Sequence, residues 1–255
     1  MSIENTFDEY SEGTISVEKV YKKSKKFKFD FMIITFSKRL IDELIARKEI
    51  VNTRNSLKSV NGNTIIYYLK NNPNIGIYMT IIGAPLSVAL MEETSHIFRC
   101  KNYIMFGTCG TLNKELTYGK FVIPNSAYRD EGTSYHYKKS SDFIDVIKAS
   151  ELIEFFTKEK ENFVVGKTWT TDSFYRETVN NVAKRKAKGC IVVEMEVSAF
   201  EAAAEFYKIN FYPFLMSGDI VIKEWEPSQL KDLNHDKKFL YYVFSLAKRF
   251  ILSKI

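Results

Sequence analysis

Ile191-Val192-Val193-Glu194-Met195-Glu196-Val197-Ser198-Ala199-Phe200, continued by Glu201-Ala202-Ala203-Ala204-Glu205-Phe206-Tyr207, changes its periodicity in the middle. Ile191 to Val193 is an unalternating, β-branched run of the kind found in strands covered on both faces. Glu196 to Tyr207 has helical spacing. A buried strand feeding directly into a helix is the repeating unit of α/β proteins. At the junction stand two carboxylates, Glu194 and Glu196, where burial without partners is expensive. A ligand rich in hydroxyls would justify them, since an ionised carboxylate accepts two hydrogen bonds from a vicinal diol. The alternative is a structural cap, with Glu196 beginning the helix and favouring its dipole.

Working outward, strand-length apolar runs recur at Phe31–Phe36, Ile65–Leu69, Ile75–Ile82, Tyr103–Phe106, Phe121–Ile123, Phe163–Val165 and Phe211–Met216. Helical patterns fall between them at Lys38–Lys48 and Pro85–Phe98, with Pro85 placed where a helix begins. The spacing predicts a largely parallel or mixed sheet. Phe239, Leu240, Val243, Phe244, Ala247, Phe250 and Ile251 share one stripe of a C-terminal amphipathic helix. The first 20 or so residues are polar and weakly patterned, as in an arm on the surface, and Glu224–Asp236 reads as a loop. No repeat or Pro/Gly-rich linker interrupts the chain, so residues 1–255 are expected to form a single domain.

The chain has 255 residues, 45% of them hydrophobic, and a net charge of +6. Its basic runs, Lys22–Lys28 and Lys184–Lys188, lack the interleaved aromatics of a single-strand binding surface, so solvated faces are expected and no nucleic-acid partner. No run is long enough to cross a bilayer. Cys100, Cys109 and Cys190 are too scattered for a disulfide framework or a thiolate zinc site, and His96, His136 and His235 form no metal set. A cytoplasmic protein without metal or cofactor is expected.

Four further segments follow predicted strands, the position at which open α/β sheets bind ligands. Gly107-Thr108-Cys109-Gly110 reads as a small-residue turn that exposes backbone N–H groups, or simply as a tight turn. Ala127 to Tyr137 crowds Arg129, Asp130, Glu131 and His136 together, either functionally or as surface pairs of Arg129 with its acidic neighbours. In Thr170 to Thr178, Phe174 and Tyr175 offer a flat face for a base, or belong to the core. Ser217-Gly218-Asp219 supplies a candidate acid.

In this order the segments resemble the nucleoside phosphorylase-I superfamily, which includes purine nucleoside phosphorylases, uridine phosphorylases and methylthioadenosine/adenosylhomocysteine nucleosidases. The resemblance runs from about Phe31 to Ile220, and its most specific part is Val193–Ala199, similar to the family's VEMEA segment. It implies a three-layer α/β/α fold around a twisted mixed sheet that curls into a partial barrel, and assembly as a homo-oligomer, a dimer or a hexamer. It implies cleavage of the bond between ribose and a nucleobase. Met195 and Glu196 would hold the ribose, Phe174 would stack on the base, and Asp219 would protonate N7 of a purine as it leaves. Tyr175 and Arg176 border the base. Thr108 matches the hydroxyl residue that touches phosphate or ribose, and Arg39 and Arg129 are the remaining candidates for phosphate.

Typical phosphorylases of this family carry an arginine two residues before the first glycine of the GTCG-like turn, where this chain has Met105. Their early phosphate loop is also altered, reading Ile34-Thr35-Phe36-Ser37-Lys38-Arg39. Nucleosidases place a water-activating glutamate in that region, and here the nearest residues are Lys38 and Arg39. A basic loop attracts phosphate but does not replace a general base, which favours phosphorolysis, with phosphate as co-substrate, over hydrolysis. A nucleoside-binding protein without catalysis is the third reading. Asp219 suits a purine, and the short loop after Phe174-Tyr175 has no glutamine to bracket a uracil. Arg176 could reach a uracil carbonyl or pair with Glu177.

Overall fold

The computed structural model describes residues 3–59, 62–227 and 236–255. These form eleven strands, β1 (Phe31–Thr35), β2 (Ile50–Ser59), β3 (Gly62–Leu69), β4 (Asn72–Met79), β5 (Asn102–Thr111), β6 (Phe121–Asp130), β7 (Phe143–Asp145), β8 (Phe163–Thr171), β9 (Cys190–Glu194), β10 (Asn210–Val221) and β11 (Trp225–Glu226). The helices are α1 (Val17–Val20), α2 (Lys38–Ala46), α3 (Ala84–Phe98), α4 (Lys114–Thr117), α5 (Ala149–Lys158), α6 (Val179–Ala187), α7 (Val197–Tyr207) and α8 (Lys237–Leu252). All strands belong to one mixed sheet in the order β11-β10-β6-β8-β9-β5-β1-β4-β3-β2, with β7 beside β6. Because β10 also pairs with β5, the segment β5-β9-β8-β6-β10 closes on itself into a small barrel, and β1, β4, β3 and β2 extend from it as an open sheet.

Helices cover both faces, giving the three layers. Phe211 on β10 stacks on Phe200 of α7. The next residue, Tyr212, meets Phe250 of α8, and Phe214 meets Phe156 of α5. Successive strand residues point to opposite faces, so α7 lies on one side and α5 with α8 on the other. β1 is buried at every position and pairs in parallel with both β4 and β5, which explains its unbroken apolar reading.

The structure corrects several expected boundaries. Gly107–Gly110 is no turn: β5 runs through it to Thr111, pairing with β10 and, at Gly110 and Thr111, with β9. β10 likewise continues past Asp219 to Val221, with a register shift between Ser217 and Ile220. The polar strand β2 escapes sequence reading because it lies at the sheet edge and pairs only with β3. Within the expected loop, Trp225 and Glu226 form β11, while residues 228–235, including His235, lie outside those described. The N-terminal segment lies on the surface, as expected, and is tied down where Phe7 meets Phe206 edge-on and Ile3 lies over Gly132.

The junction that opened the sequence reading is held by Glu194. Its Oε1 accepts from Thr168 Oγ1 (3.1 Å) and Thr170 Oγ1 (2.6 Å) on the neighbouring β8. Its Oε2 accepts the backbone N–H groups of Glu196 and Val197, both at 2.7 Å. Glu196 occupies the N-cap position of α7, as its place in the sequence suggests, but the side chain that caps the helix is that of Glu194, which satisfies N–H groups that a helix start leaves open. Burial pushes the Glu194 pKa up, and these four hydrogen bonds pull against that shift. Glu194→Ala leaves the hydroxyls and N–H groups buried without a partner, so a loss of about 3 kcal/mol or more is expected in denaturant unfolding. A loss below about 1 kcal/mol would show that the junction is held elsewhere.

Candidate active site

Glu194 frees Glu196 for another task. Glu196 is buried, and its Oε1 accepts the backbone N–H of Gly83 at 2.6 Å. Gly83 precedes α3 with φ +109°, a conformation that side chains rarely adopt, and so delivers its N–H from a turn that suits glycine. Burial, followed by the charge of Glu194, pushes the Glu196 carboxyl up to about 8. Its neighbour Met195 is half-buried on the same turn.

Across β5 lies Asp219. The register shift in β10 marks a bulge, a device that re-aims side chains at sites. It places Asp219 Oδ1 3.5 Å from where a Cβ on Gly110 would be. That same Cβ would come within 2.9 Å of Val193 and Val221, so only glycine lets the three strands approach here. Asp219 Oδ2 accepts from Trp225 Nε1 at 2.8 Å. Val193, three residues before Glu196, and Asp219 thus meet at Gly110.

Thr108, half-buried, is paired in register with Met216 on this edge of β5 and β10. Phe174 and Tyr175 lie on the loop after β8, 51% and 89% exposed, their rings 4.1 Å apart. They belong to the rim and not to the core. Arg176, also exposed, follows them and makes no ion pair with Glu177 among the described residues. Glu177 is half-buried, and burial first and the charge of Asp219 second push its carboxyl up to about 7. Asp172, on the same loop, accepts from Gly132 N at 2.9 Å.

The three phosphate candidates separate. Arg39 is exposed in the first turn of α2, which follows β1 at this edge. Arg129 is buried and turned into its own loop. It donates to Ser134 Oγ (2.9 Å), Ser141 Oγ (3.0 Å) and the carbonyls of Lys138 (3.0 Å) and Lys139 (2.6 Å), and stacks on Tyr135. Four of its five N–H donors are occupied, so it acts as a clamp on residues 129–141. The surface pair with Asp130 does not form either, as Asp130 binds Arg185 and Trp169. Met105 is packed in the core. A cavity of about 900 Å³ lies elsewhere, between the N-terminal segment and α3, lined by Tyr21, Glu92, His96 and Arg99 among others. None of the residues above lines it, so enclosed volume does not mark this chemistry.

Residues 30–248 match the model of the phosphorylase superfamily. The chain belongs to this superfamily. A purine nucleoside phosphorylase of the DeoD type from Bacillus cytotoxicus is 27% identical over 174 residues, 67% of this chain and 73% of the relative. Among solved structures, a methylthioadenosine/S-adenosylhomocysteine nucleosidase from Campylobacter jejuni superposes with a TM-score of 0.67 at 16% identity, over 87% of this chain and 99% of the other. Futalosine hydrolase of Helicobacter pylori gives 0.66 at 13%, over 90% and 100%. These likenesses confirm the α/β fold around a mixed sheet; phosphorolytic and hydrolytic relatives both carry it.

Gly83 and Trp225, the hydrogen-bond partners of Glu196 and Asp219, are not legible as such in the sequence. Gly83 had a signal, since a glycine before Ala84-Pro85 marks a helix entry, but the partner of its N–H lies 113 residues away. Glu196 carries the testable electrostatics. Its carboxyl rises from an ordinary 4.5 to about 8 on folding, so its contribution to stability is complete below about pH 4.5 and is lost as pH rises through about 8. Thermal melts should therefore show Glu196→Gln gaining on the parent protein between about pH 5 and about pH 8.5. A difference that does not change with pH contradicts the assigned burial.

Proposed function

We propose that this chain cleaves the N-glycosidic bond of a purine nucleoside, with phosphate as the attacking group, releasing the free base and ribose 1-phosphate. The observation that carries this reading is that Asp219 is turned toward Gly110 of β5, against Val193 of the strand whose following turn holds the buried carboxyl of Glu196. Breaking the bond makes the ribose resemble an oxocarbenium ion while negative charge gathers on the base. Glu196, anchored by Gly83 through Oε1, turns its carboxyl to the ribose hydroxyls. Asp219, oriented by Trp225, is the acid for the departing base, and Phe174 stacks on its face. Met195 completes the ribose contact, and Thr108 and Arg39 receive phosphate.

Water is the alternative nucleophile, favoured by one observation: Met105 in the core and Arg129 locked in its loop leave Arg39 as the remaining phosphate cation of those considered. Assembly as a homo-oligomer fits the exposed apolar side chains of Ile82 and Leu86 near the entry of α3, and sedimentation velocity checks it.

Incubating adenosine, inosine, guanosine and uridine with and without phosphate discriminates the readings. Phosphate-dependent release of purine is expected, with uridine at least about tenfold poorer in kcat/KM. Phosphate-independent release makes the protein a hydrolase, and binding without release makes it a receptor. Glu196→Ala should lower kcat/KM about 10²-fold or more. Asp219→Ala should cost about 10²–10⁴-fold on purine nucleosides but little on a nitrophenyl riboside, whose leaving group needs no proton. Equal losses on both would remove Asp219 from the acid role.

A further inference from the structure

Phe174 stands on a turn that the core does not hold. Residues 172–176 are all exposed, and the bonds inside the turn, from Arg176 N to the Ser173 carbonyl (2.8 Å) and from Glu177 N to the Phe174 carbonyl (3.2 Å), shape it without fixing where it lies. Among the described hydrogen bonds of residues 172–177, one reaches beyond the adjoining ends of β8 and α6: Asp172 Oδ2 accepts the backbone N–H of Gly132 at 2.9 Å. Gly132 belongs to the loop after β6, 40 residues away in the chain.

The far end of that bond is firmly placed. Glu131, next to Gly132, is buried; its Oε2 accepts Ser134 N at 2.9 Å and its Oε1 accepts Ser198 Oγ at 2.8 Å. Ser198 is in the first turn of α7, two residues after Glu196, and its backbone N–H is taken by Thr170 Oγ1 at 3.0 Å. A chain of contacts thus runs from the start of α7 through Glu131 and Gly132 to Asp172, two residues before Phe174. We propose that Asp172 is a positioning residue for the base: it ties the Phe174 turn to the loop that Glu131 fixes on α7, and so sets the ring of Phe174 relative to Glu196. This rests on the purine-nucleoside reading above, in which Phe174 stacks on the base and Glu196 holds the ribose, and deepens it.

The need for such a tie follows from the contact it serves. A stacked ring contributes only when it is held at the right distance and tilt. A free turn must be ordered when the base binds, at a cost in conformational entropy that a tethered turn has already met during folding. A carboxylate that accepts a backbone N–H is suited to the task, because the bond is among the stronger ones and its donor cannot rotate away. Asparagine keeps an oxygen that accepts the same N–H, whereas alanine offers none. Stacking on the base is made in the bound substrate as well as in the transition state, so its loss raises KM more than it lowers kcat.

A double-mutant cycle of Asp172→Ala with Phe174→Ala in the full chain tests the tie, read by calorimetric titration with adenine and hypoxanthine and by the kinetics of whichever nucleoside is cleaved. Asp172→Ala should weaken base binding at least about fivefold and raise KM by a similar factor, with kcat within about twofold of the parent protein. Asp172→Asn should stay within about twofold of the parent, and Asp172→Ala should cost nothing more once Phe174 is replaced by alanine. Circular dichroism melts verify that the variants are folded, and Asp172→Leu, of similar size but without an acceptor, decides the matter should the Ala variant unfold. Unchanged base affinity in Asp172→Ala, an Asn variant as weak as the Ala variant, a loss that adds in full to that of Phe174→Ala, or no binding of either base by the parent overturns the proposal. A parent protein that binds base but cleaves no nucleoside would refute the cleavage reading and leave this one standing. A parent that cleaves nucleosides with a KM that Asp172→Ala does not move would do the reverse.

Discussion

The carboxylate of Glu194 is the constraint on which the site depends. It is buried at the place where β9 turns into α7, and it binds the neighbouring strand through Thr168 and Thr170 and the helix start through two backbone N–H groups. Thr170 continues the link by accepting from Ser198 N at 3.0 Å. One side chain therefore fixes the distance between β8 and β9 and the direction in which α7 leaves. Burying a carboxylate is costly unless its lone pairs are satisfied, and here four donors satisfy them.

What Glu194 fixes, Glu196 uses. With the cap supplied two residues earlier, Glu196 is free to point at the entry of α3 and take the Gly83 N–H. Two distant parts of the chain, the loop after β4 and the turn after β9, are thereby joined through an acid whose burial is destabilising when it is charged. Such conflict between folding and charge is common where an acid must meet a ligand. Glu201, on α7, is likewise buried and pushed up to about 8; its Oε1 accepts the backbone N–H of Ile147, while its Oε2 is buried with no partner among the described residues. A raised carboxyl marks a site only together with its position.

Arg129 teaches the complementary lesson for cations. Its guanidinium matches the chemistry of phosphate, yet carbonyls and hydroxyls of residues 134–141 occupy its donors. Residue type alone does not distinguish an anion ligand from a loop clamp, because the same planar array of N–H groups serves both. The arginines that the resemblance implies for phosphate are accordingly not offered at these two positions, where Met105 lies in the core and Arg129 is held in its own loop.

The sequence by itself determined the α/β class and most of the buried strands, and it singled out Glu196, Phe174 and Asp219 as site candidates. These were legible because periodicity of apolar residues reports burial locally, and because Val193–Ala199 and Ser217–Asp219 are short segments whose pattern survives without long-range information. The edge strand β2 was illegible for the same reason, as a polar edge carries no burial signal. Only the tertiary structure decided that Glu194 and not Glu196 caps α7, that Gly107–Gly110 remains strand, and that Arg129 faces its own loop. It alone joined Gly83 to Glu196 and Trp225 to Asp219. Each of these depends on which donor meets which acceptor across the closed barrel, and that pairing is set by three-dimensional packing, which no local pattern in the chain records.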